Sequence, residues 1–170
     1  MIDKKIVTLL NEQINKEFFS AYLYLDIANF YAHKNLRGYE NWFKVQAQEE
    51  LAHALLFRQY LLNNDYTVES PSIGDPTKKY ADNKAPLLEA LEHEQYVTAS
   101  INAIYEQGVL LKDFRTLQFL DWFVKEQGEE EMNAQDNIQK YELFGSDPKG
   151  LYLLDKDLLL RVFVAPSLVI

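Results

Sequence analysis

Gln46-Ala-Gln-Glu-Glu-Leu-Ala-His53 is the stretch whose reading decides the fold. It lies inside a run of apolar residues at helical spacing, yet Glu49, Glu50 and His53 are all residue types that bind metals. Glu50 and His53 are three apart, so on a helix their side chains leave one face about one turn from each other. A Glu-x-x-His pair turned into a helical bundle is one half of a carboxylate-bridged di-metal site. The pair occurs by chance in many helices, so its meaning depends on what the other helices place beside it.

Around this stretch the chain divides into long periodic segments. A first helix is predicted from Lys4 to about His33, and Lys34-Asn-Leu-Arg-Gly38 breaks it. A second runs from about Gly38 to Asn63. The polar segment Asn64 to Asp82 contains Pro71, Gly74 and Pro76 and has no periodicity. It is longer than a usual helix–helix link, so it is expected to cross the length of a bundle. Asn83 is expected to cap a third helix reaching about Leu111, with Pro86 tolerated in its first turn. Asp113 is expected to cap a fourth, ending at Phe144 before Gly145 and Pro148. A short fifth helix is expected from about Leu151 to Phe163, followed by an uncharged tail. Helices of this size are roughly 40–48 Å long. The expected fold is all-α: a four-helix bundle with a long crossover between helices two and three, plus a short C-terminal fifth helix, in one domain over residues 1–170.

The inward stripes break near their middles. Helix one carries Ile6, Leu10, Gln13, Glu17, Ala21, Tyr24, Ala28 and Tyr31; helix two carries Phe43, Gln46, Glu50, His53, Phe57 and Tyr60. Helix three carries Leu87, Leu91, Glu94, Val97, Ile101 and Tyr105; helix four carries Phe119, Phe123, Gln127, Glu130, Ala134, Asn137 and Tyr141. Burying a carboxylate costs several kcal/mol unless something compensates it. Bound divalent cations would do so, releasing protons as they bind. Glu50 and His53 stand 33 and 36 residues after Glu17; Gln127 and Glu130 stand 33 and 36 after Glu94. The second half of the chain therefore repeats the first, with Gln-x-x-Glu in place of Glu-x-x-His.

The reading places one metal on Glu17, Glu50 and His53, and a second on Glu94 and Glu130 with Glu50 bridging. Gln127 is the neutral neighbour of the second, which is expected to be held more weakly. Carboxylates with one imidazole suit Fe(II), Mn(II) or Zn(II). Tyr24, two turns beyond Glu17, is placed to supply an electron, and Trp122 is a further candidate. Glu49, Glu126 and Glu129 stand one position off the stripes and form a candidate additional metal site.

Composition narrows the function classes. The 170 residues include no cysteine, which excludes disulfides, thiolate zinc sites, rubredoxin-type iron and iron–sulfur clusters. A net charge of −9 disfavours a nucleic-acid partner and suits handling of cations. No run approaches the ~18–20 apolar residues that span a membrane. With Asp3, Lys4 and Lys5 near the start and no apolar leader after them, a cytoplasmic location is expected.

Nearly the whole chain resembles non-haem ferritin, particularly the bacterial type. The resemblance rests on Leu10-Asn-Glu-Gln-x-Asn-x-Glu17, Ala47-Gln-Glu-Glu-x-x-His53, His93-Glu94-Gln95, Phe119-Leu-x-Trp122-Phe-Val and Glu126-Gln-x-Glu-Glu-Glu131. Gly150 to Lys156 is similar to the start of that family's fifth helix. The resemblance implies a hollow 24-subunit homo-oligomeric shell that oxidises Fe(II) with O2 and stores a ferric oxyhydroxide. It implies ferroxidase ligands at Glu17, Glu50, His53, Glu94 and Glu130 with Gln127 beside them. A third iron is implied at Glu49, Glu126 and Glu129, and a redox tyrosine at Tyr24. Leu51 stands where a haem-ligating methionine would be in bacterioferritin, so no haem is expected, and Leu117 and Leu120 replace the acidic entry channel of animal ferritins. Gly128 stands where bacterial relatives commonly carry His. The tail Leu158 to Ile170 is unusually apolar and is expected to meet neighbouring subunits or a partner. Two rival readings are a di-iron oxygenase or peroxidase that stores no iron, which needs a pocket beside the metals, and a metal-free interaction bundle.

Overall fold

The computed structural model describes residues 2–170, which form five helices: α1 (Lys4–His33), α2 (Arg37–Asn63), α3 (Ala85–Leu111), α4 (Phe114–Phe144) and α5 (Pro148–Leu158). The starts of α1 and α4 have a local cause. Asp3 accepts from the Lys5 amide at 2.8 Å to cap α1, and Asp113 accepts from the Thr116 amide at 3.2 Å to cap α4. Between α1 and α2, Asn35 takes the left-handed conformation at φ 59°, which asparagine tolerates better than most residues.

Three expected boundaries are corrected. Asn83 does not cap α3: Lys84 holds the cap position, and Asp82 supplies the oxygen, accepting from the amides of Lys84 and Ala85 at 2.9 Å each. The fifth helix begins at Pro148 rather than Leu151 and ends at Leu158 rather than Phe163. Pro148 starts that helix instead of only terminating α4, because the first turn needs no amide from it and Asp147 caps the turn through the Gly150 amide at 2.7 Å.

The crossover tracks the whole of α1. Tyr66 donates to the Ile2 carbonyl, Asn11 bonds Thr67 and Glu69, Asn15 bonds Ser72, and Tyr31 donates to the Asn83 carbonyl. This steady advance delivers α3 to the far end of α1, so α3 runs antiparallel to α1 and parallel to α2. Asn11 is buried by this task, which the periodic pattern did not anticipate.

Two apolar clusters fill the bundle. One gathers Ile6, Leu10, Phe57, Ile101, Phe119 and Phe123; the other gathers Leu23, Tyr31, Phe43, Leu87 and Ile138. Between them lies a polar belt of buried residues: Gln13, Glu17, Ser20, Gln46, Glu50, His53, Glu94, Gln127 and Glu130. Ala21, Leu91, Tyr105, Ala134 and Tyr141 sit at the margins of their stripes, half-buried, while Ser20, Ala90, Ile104 and Ile138 face inward.

α5 docks across the start of α2. Leu36 gives α2 no side-chain cap; Asp155 of α5 does so instead, accepting from the amides of Gly38 and Tyr39 at 2.8 and 3.0 Å. Gly38 permits this approach, since a Cβ there would sit on the Asp155 carbonyl. No helix among the described residues is long and apolar enough to cross a membrane.

Candidate metal centre

The polar belt holds four carboxylates, one from each helix, and one imidazole. Glu17, Glu50 and His53 each offer a ligand atom within 4.8 Å of the other two, and all three are buried. His53 Nδ1 is 3.4 Å from a Glu50 oxygen. The His53 ring stands edge-on to Trp122 and Phe123, with centroids 5.5 and 5.8 Å away, so its orientation is set by packing.

One atom of this group has no partner. Glu17 Oε1 accepts from Gln13 Nε2 at 2.8 Å, but Glu17 Oε2 is buried with nothing bonded to it. An orphaned buried carboxylate oxygen is costly, and a cation is the natural remedy. The donor set of two carboxylates and an imidazole fits borderline divalent metals such as Fe(II).

The second half of the belt is arranged differently. Glu94 accepts from the Tyr24 hydroxyl and from Gln127 Nε2, the latter at 3.1 Å. Glu130 accepts from Gln46 Nε2 at 2.5 Å, and the same amide lies 3.4 Å from Glu50. Gln127 therefore turns its donor end to Glu94, and its amide also lies 3.3 Å from the Thr98 hydroxyl. Glu94 and Glu130 are buried beside Glu50 and face each other across the belt closely enough to affect each other's protonation.

Burial pushes the Glu17 carboxyl well above the usual carboxylate range, and neighbouring Glu50 pushes it further. Glu50 and Glu130 are raised well above it for the same reasons, burial first and the like charge of Glu94 next. Glu94 is itself raised by burial. Packed together without a cation, these groups retain protons that a metal would displace. The Tyr24 phenol is raised by burial and by Glu94, so it keeps its proton and donates.

Glu49, Glu126 and Glu129 collect on the flank of the bundle next to the belt. Glu126 is half-buried and Glu129 exposed. Burial raises the Glu49 carboxyl, Arg161 opposes that, and Glu126 and Glu129 are near enough to add to the rise. Glu49 is already paired, with Arg161 at 2.5 Å. Trp122 is half-buried, and its Nε1 donates to Ser167 Oγ of the tail at 3.2 Å.

A cavity of about 20 Å³ adjoins Tyr24, Glu94 and Glu130, walled by Trp42, Phe43 and Leu87. This is room for about one water or diatomic molecule. An organic substrate is larger than this cavity, which weighs against the oxygenase reading.

Sequence reasoning passed over three contributors. Gln13 and Gln46 stand on the inward stripes, each four residues before a glutamate, and each donates to it. The signal was available: Gln13 and Gln46 are 33 residues apart, the same interval as Glu17 and Glu50. Arg161 reaches the belt from beyond α5, and no local pattern announces it.

The Ferritin-like domain family matches residues 7–144 of this chain. A bacterial non-heme ferritin of Campylobacter jejuni is 37% identical over 92% of this chain and 93% of its own length. A bacterial non-heme ferritin of Staphylococcus aureus is 31% identical over 96% and 98%. Among solved structures, an open-pore ferritin from the hyperthermophilic archaeon Archaeoglobus fulgidus superposes with TM-score 0.93 at 40% identity, over 95% of this chain and 100% of that one. An engineered closed form of the A. fulgidus ferritin gives TM-score 0.94 over 96% and 100%.

Proposed function

Because the chain belongs to the ferritin family, we propose that it is an iron-storage protein with ferroxidase activity, oxidising Fe(II) with O2 inside the bundle. The observation that carries this reading is the orphaned Glu17 oxygen within the Glu17, Glu50 and His53 cluster. Fe(II) is the substrate and O2 the electron acceptor.

Glu17, Glu50 and His53 would hold one Fe(II); Glu94 and Glu130 would hold a second, with Glu50 between them. Gln127 and Gln46 act as donors that orient the second pair. Two Fe(II) supply two of the four electrons needed to take O2 to water. A third Fe(II) at Glu49, Glu126 and Glu129 and the Tyr24 phenol would supply one each. Tyr24 is built for this, because its hydroxyl donates to Glu94 and its proton has an acceptor when the electron leaves. The small cavity admits O2 and excludes larger substrates.

The assembly proposed is a 24-subunit shell in the cytoplasm, with ferric product stored inside it. Support comes from α5, which has no fully buried residue within this chain and leaves Tyr152 and Leu153 exposed, as expected of a helix covered further by other subunits. The tail turns back onto its own bundle through Ser167 and Leu168 yet exposes Leu160, Val162, Val164 and Val169. Those four are proposed to meet neighbouring subunits.

One experiment tests the whole. The apo protein is loaded anaerobically with many Fe(II) per chain, air is admitted, and the product is sized. A soluble iron-rich particle of about two dozen chains is the expected product. A small species that stops at about two irons per chain would instead indicate an oxygenase, and no binding would end the metal reading.

A further inference from the structure

Outside the ligands themselves, the belt has one contact with the C-terminal tail, and it is a charged one. Arg161 stacks its guanidinium over the Trp42 ring, 4.0 Å from the centroid. It donates to the Trp42 carbonyl at 3.2 Å, to Gln46 Oε1 at 2.7 Å and to Glu49 at 2.5 Å. Its side chain is 16% exposed. The backbone that carries it is gripped by Asn41, which donates to the carbonyls of Leu158, Leu159 and Arg161 at 3.3, 3.3 and 2.9 Å.

A carboxamide has one donor end and one acceptor end, and a guanidinium only donates. Arg161 therefore decides which way Gln46 faces. With Oε1 held by the arginine, Nε2 must point inward, where it donates to Glu130 at 2.5 Å and approaches Glu50 at 3.4 Å. The reversed amide would set donor against donor at Arg161 and acceptor against acceptor at Glu130.

A comparable line runs along α1, with a serine of α3 between the cation and the glutamine. Lys16 Nζ donates to Ser100 Oγ at 2.6 Å, Ser100 donates to Gln13 Oε1 at 2.6 Å, and Gln13 Nε2 donates to Glu17 at 2.8 Å. In both places a cation fixes the acceptor end of a glutamine so that its donor end serves a buried glutamate.

Resting on the metal-centre reading above, we propose that Arg161 is a positioning residue for that centre. Acting from the C-terminal tail through the Gln46 amide, it sets the orientation of Glu130 and Glu50, so the second metal position is complete only when the tail is docked. Outer partners of metal ligands are generally worth about 10- to 100-fold in affinity.

The test is an anaerobic titration of the assembled apo protein with Co(II), followed by its visible absorption, in wild type and in three variants. Arg161→Met keeps a stem on Trp42 and removes the donors. It is expected to weaken the second Co(II) by about 10- to 100-fold and leave the first, at His53, within a few-fold. Gln46→Leu should produce the same loss, and the double variant no more than either single one, because both changes cut one line of contact. Unchanged second-site affinity in Arg161→Met overturns the inference. So do additive losses, which would mean that Arg161 works by another route such as Glu49. Should Arg161→Met fail to assemble, Arg161→Lys replaces it: a lysine keeps the charge but not the fork, and wild-type affinity there is equally fatal. A wild-type protein that binds no Co(II) in the bundle overturns the metal-centre reading itself, a result distinct from two sites that ignore Arg161.

Discussion

In the α1–α2 hairpin, Glu17, Glu50 and His53 bring their ligand atoms within 4.8 Å of one another and leave a carboxylate oxygen without a partner. In the α3–α4 hairpin no carboxylate oxygen is buried without a partner: both Glu94 oxygens accept, from Tyr24 and Gln127, and one Glu130 oxygen accepts from Gln46. The 33- and 36-residue intervals recur in both. What differs is how far hydrogen-bond donors already satisfy the buried carboxylate oxygens. A site poised with an orphan oxygen gains more from a cation than one whose oxygens are already satisfied. On the proposed metal reading, the difference predicts firm binding on one side and loose binding on the other, which is useful where one metal stays and another departs.

The largest effect is expected from removing the imidazole that makes the halves unlike. His53→Ala should slow Fe(II) oxidation by more than about 100-fold while the particle still assembles, as read by stopped-flow absorbance and size exclusion. Oxidation at the wild-type rate would end the assignment of His53 to the first metal. The next largest comes from making the halves alike. Gln127→Glu combined with Glu130→His writes a second Glu-x-x-His into α4, and the second metal should tighten by at least about 10-fold toward the first in a calorimetric titration. If the affinity gap persists, it does not arise from ligand type.

A smaller, graded effect concerns protons. Folding raises the carboxyls of Glu17, Glu50 and Glu130 well above their ordinary 4.5. Between those values the folded apo chain binds more protons than the unfolded chain, so the stability they contribute is complete below the unfolded pKa and is lost as pH rises through the folded ones. The apo protein should therefore melt at lower temperature as pH climbs from about 5 to 8, and metal loading should remove or reverse that slope, because the cation takes the place of the protons. Glu17→Gln should flatten the apo slope; differential scanning calorimetry reads both, and an apo melting point that rises with pH would contradict the protonated belt.

The smallest effect tests the surface of the weaker half. A Cβ at Gly128 meets nothing within 4 Å, and the position is exposed. Gly128→Ala should stabilise α4 by up to about 1 kcal/mol in chemical denaturation and leave both metals unaffected. A change in metal affinity would show that the glycine serves the site rather than the helix alone.

The bundle was legible because its determinants are local and repeated. Periodicity marked four helices, and the paired intervals marked the level of the buried polar belt on each. Asp113 was readable as a cap because the residue at the cap position supplies the oxygen itself; the cap of α3 was misread because Lys84 holds that position while the oxygen comes from Asp82, two residues earlier. Arg161 was out of reach for a different reason. Gln46 lies 115 residues earlier in the chain, and nothing near Arg161 distinguishes a docking arginine from a solvated one. The tail read as a uniformly apolar surface, whereas the structure splits it into an inward-held Arg161 and outward apolar residues.

The cap that Asp155 provides has a consequence for synthesis. The first turn of α2 emerges from the ribosome with no side chain of its own to close it, and its acceptor lies 117 residues further along. At ~5–20 residues per second, that turn waits roughly 6–23 s for its partner. The early part of the chain is thus finished by nearly its last part, and a nascent chain arrested before Asp155 would carry a frayed α2 that no length of waiting could repair.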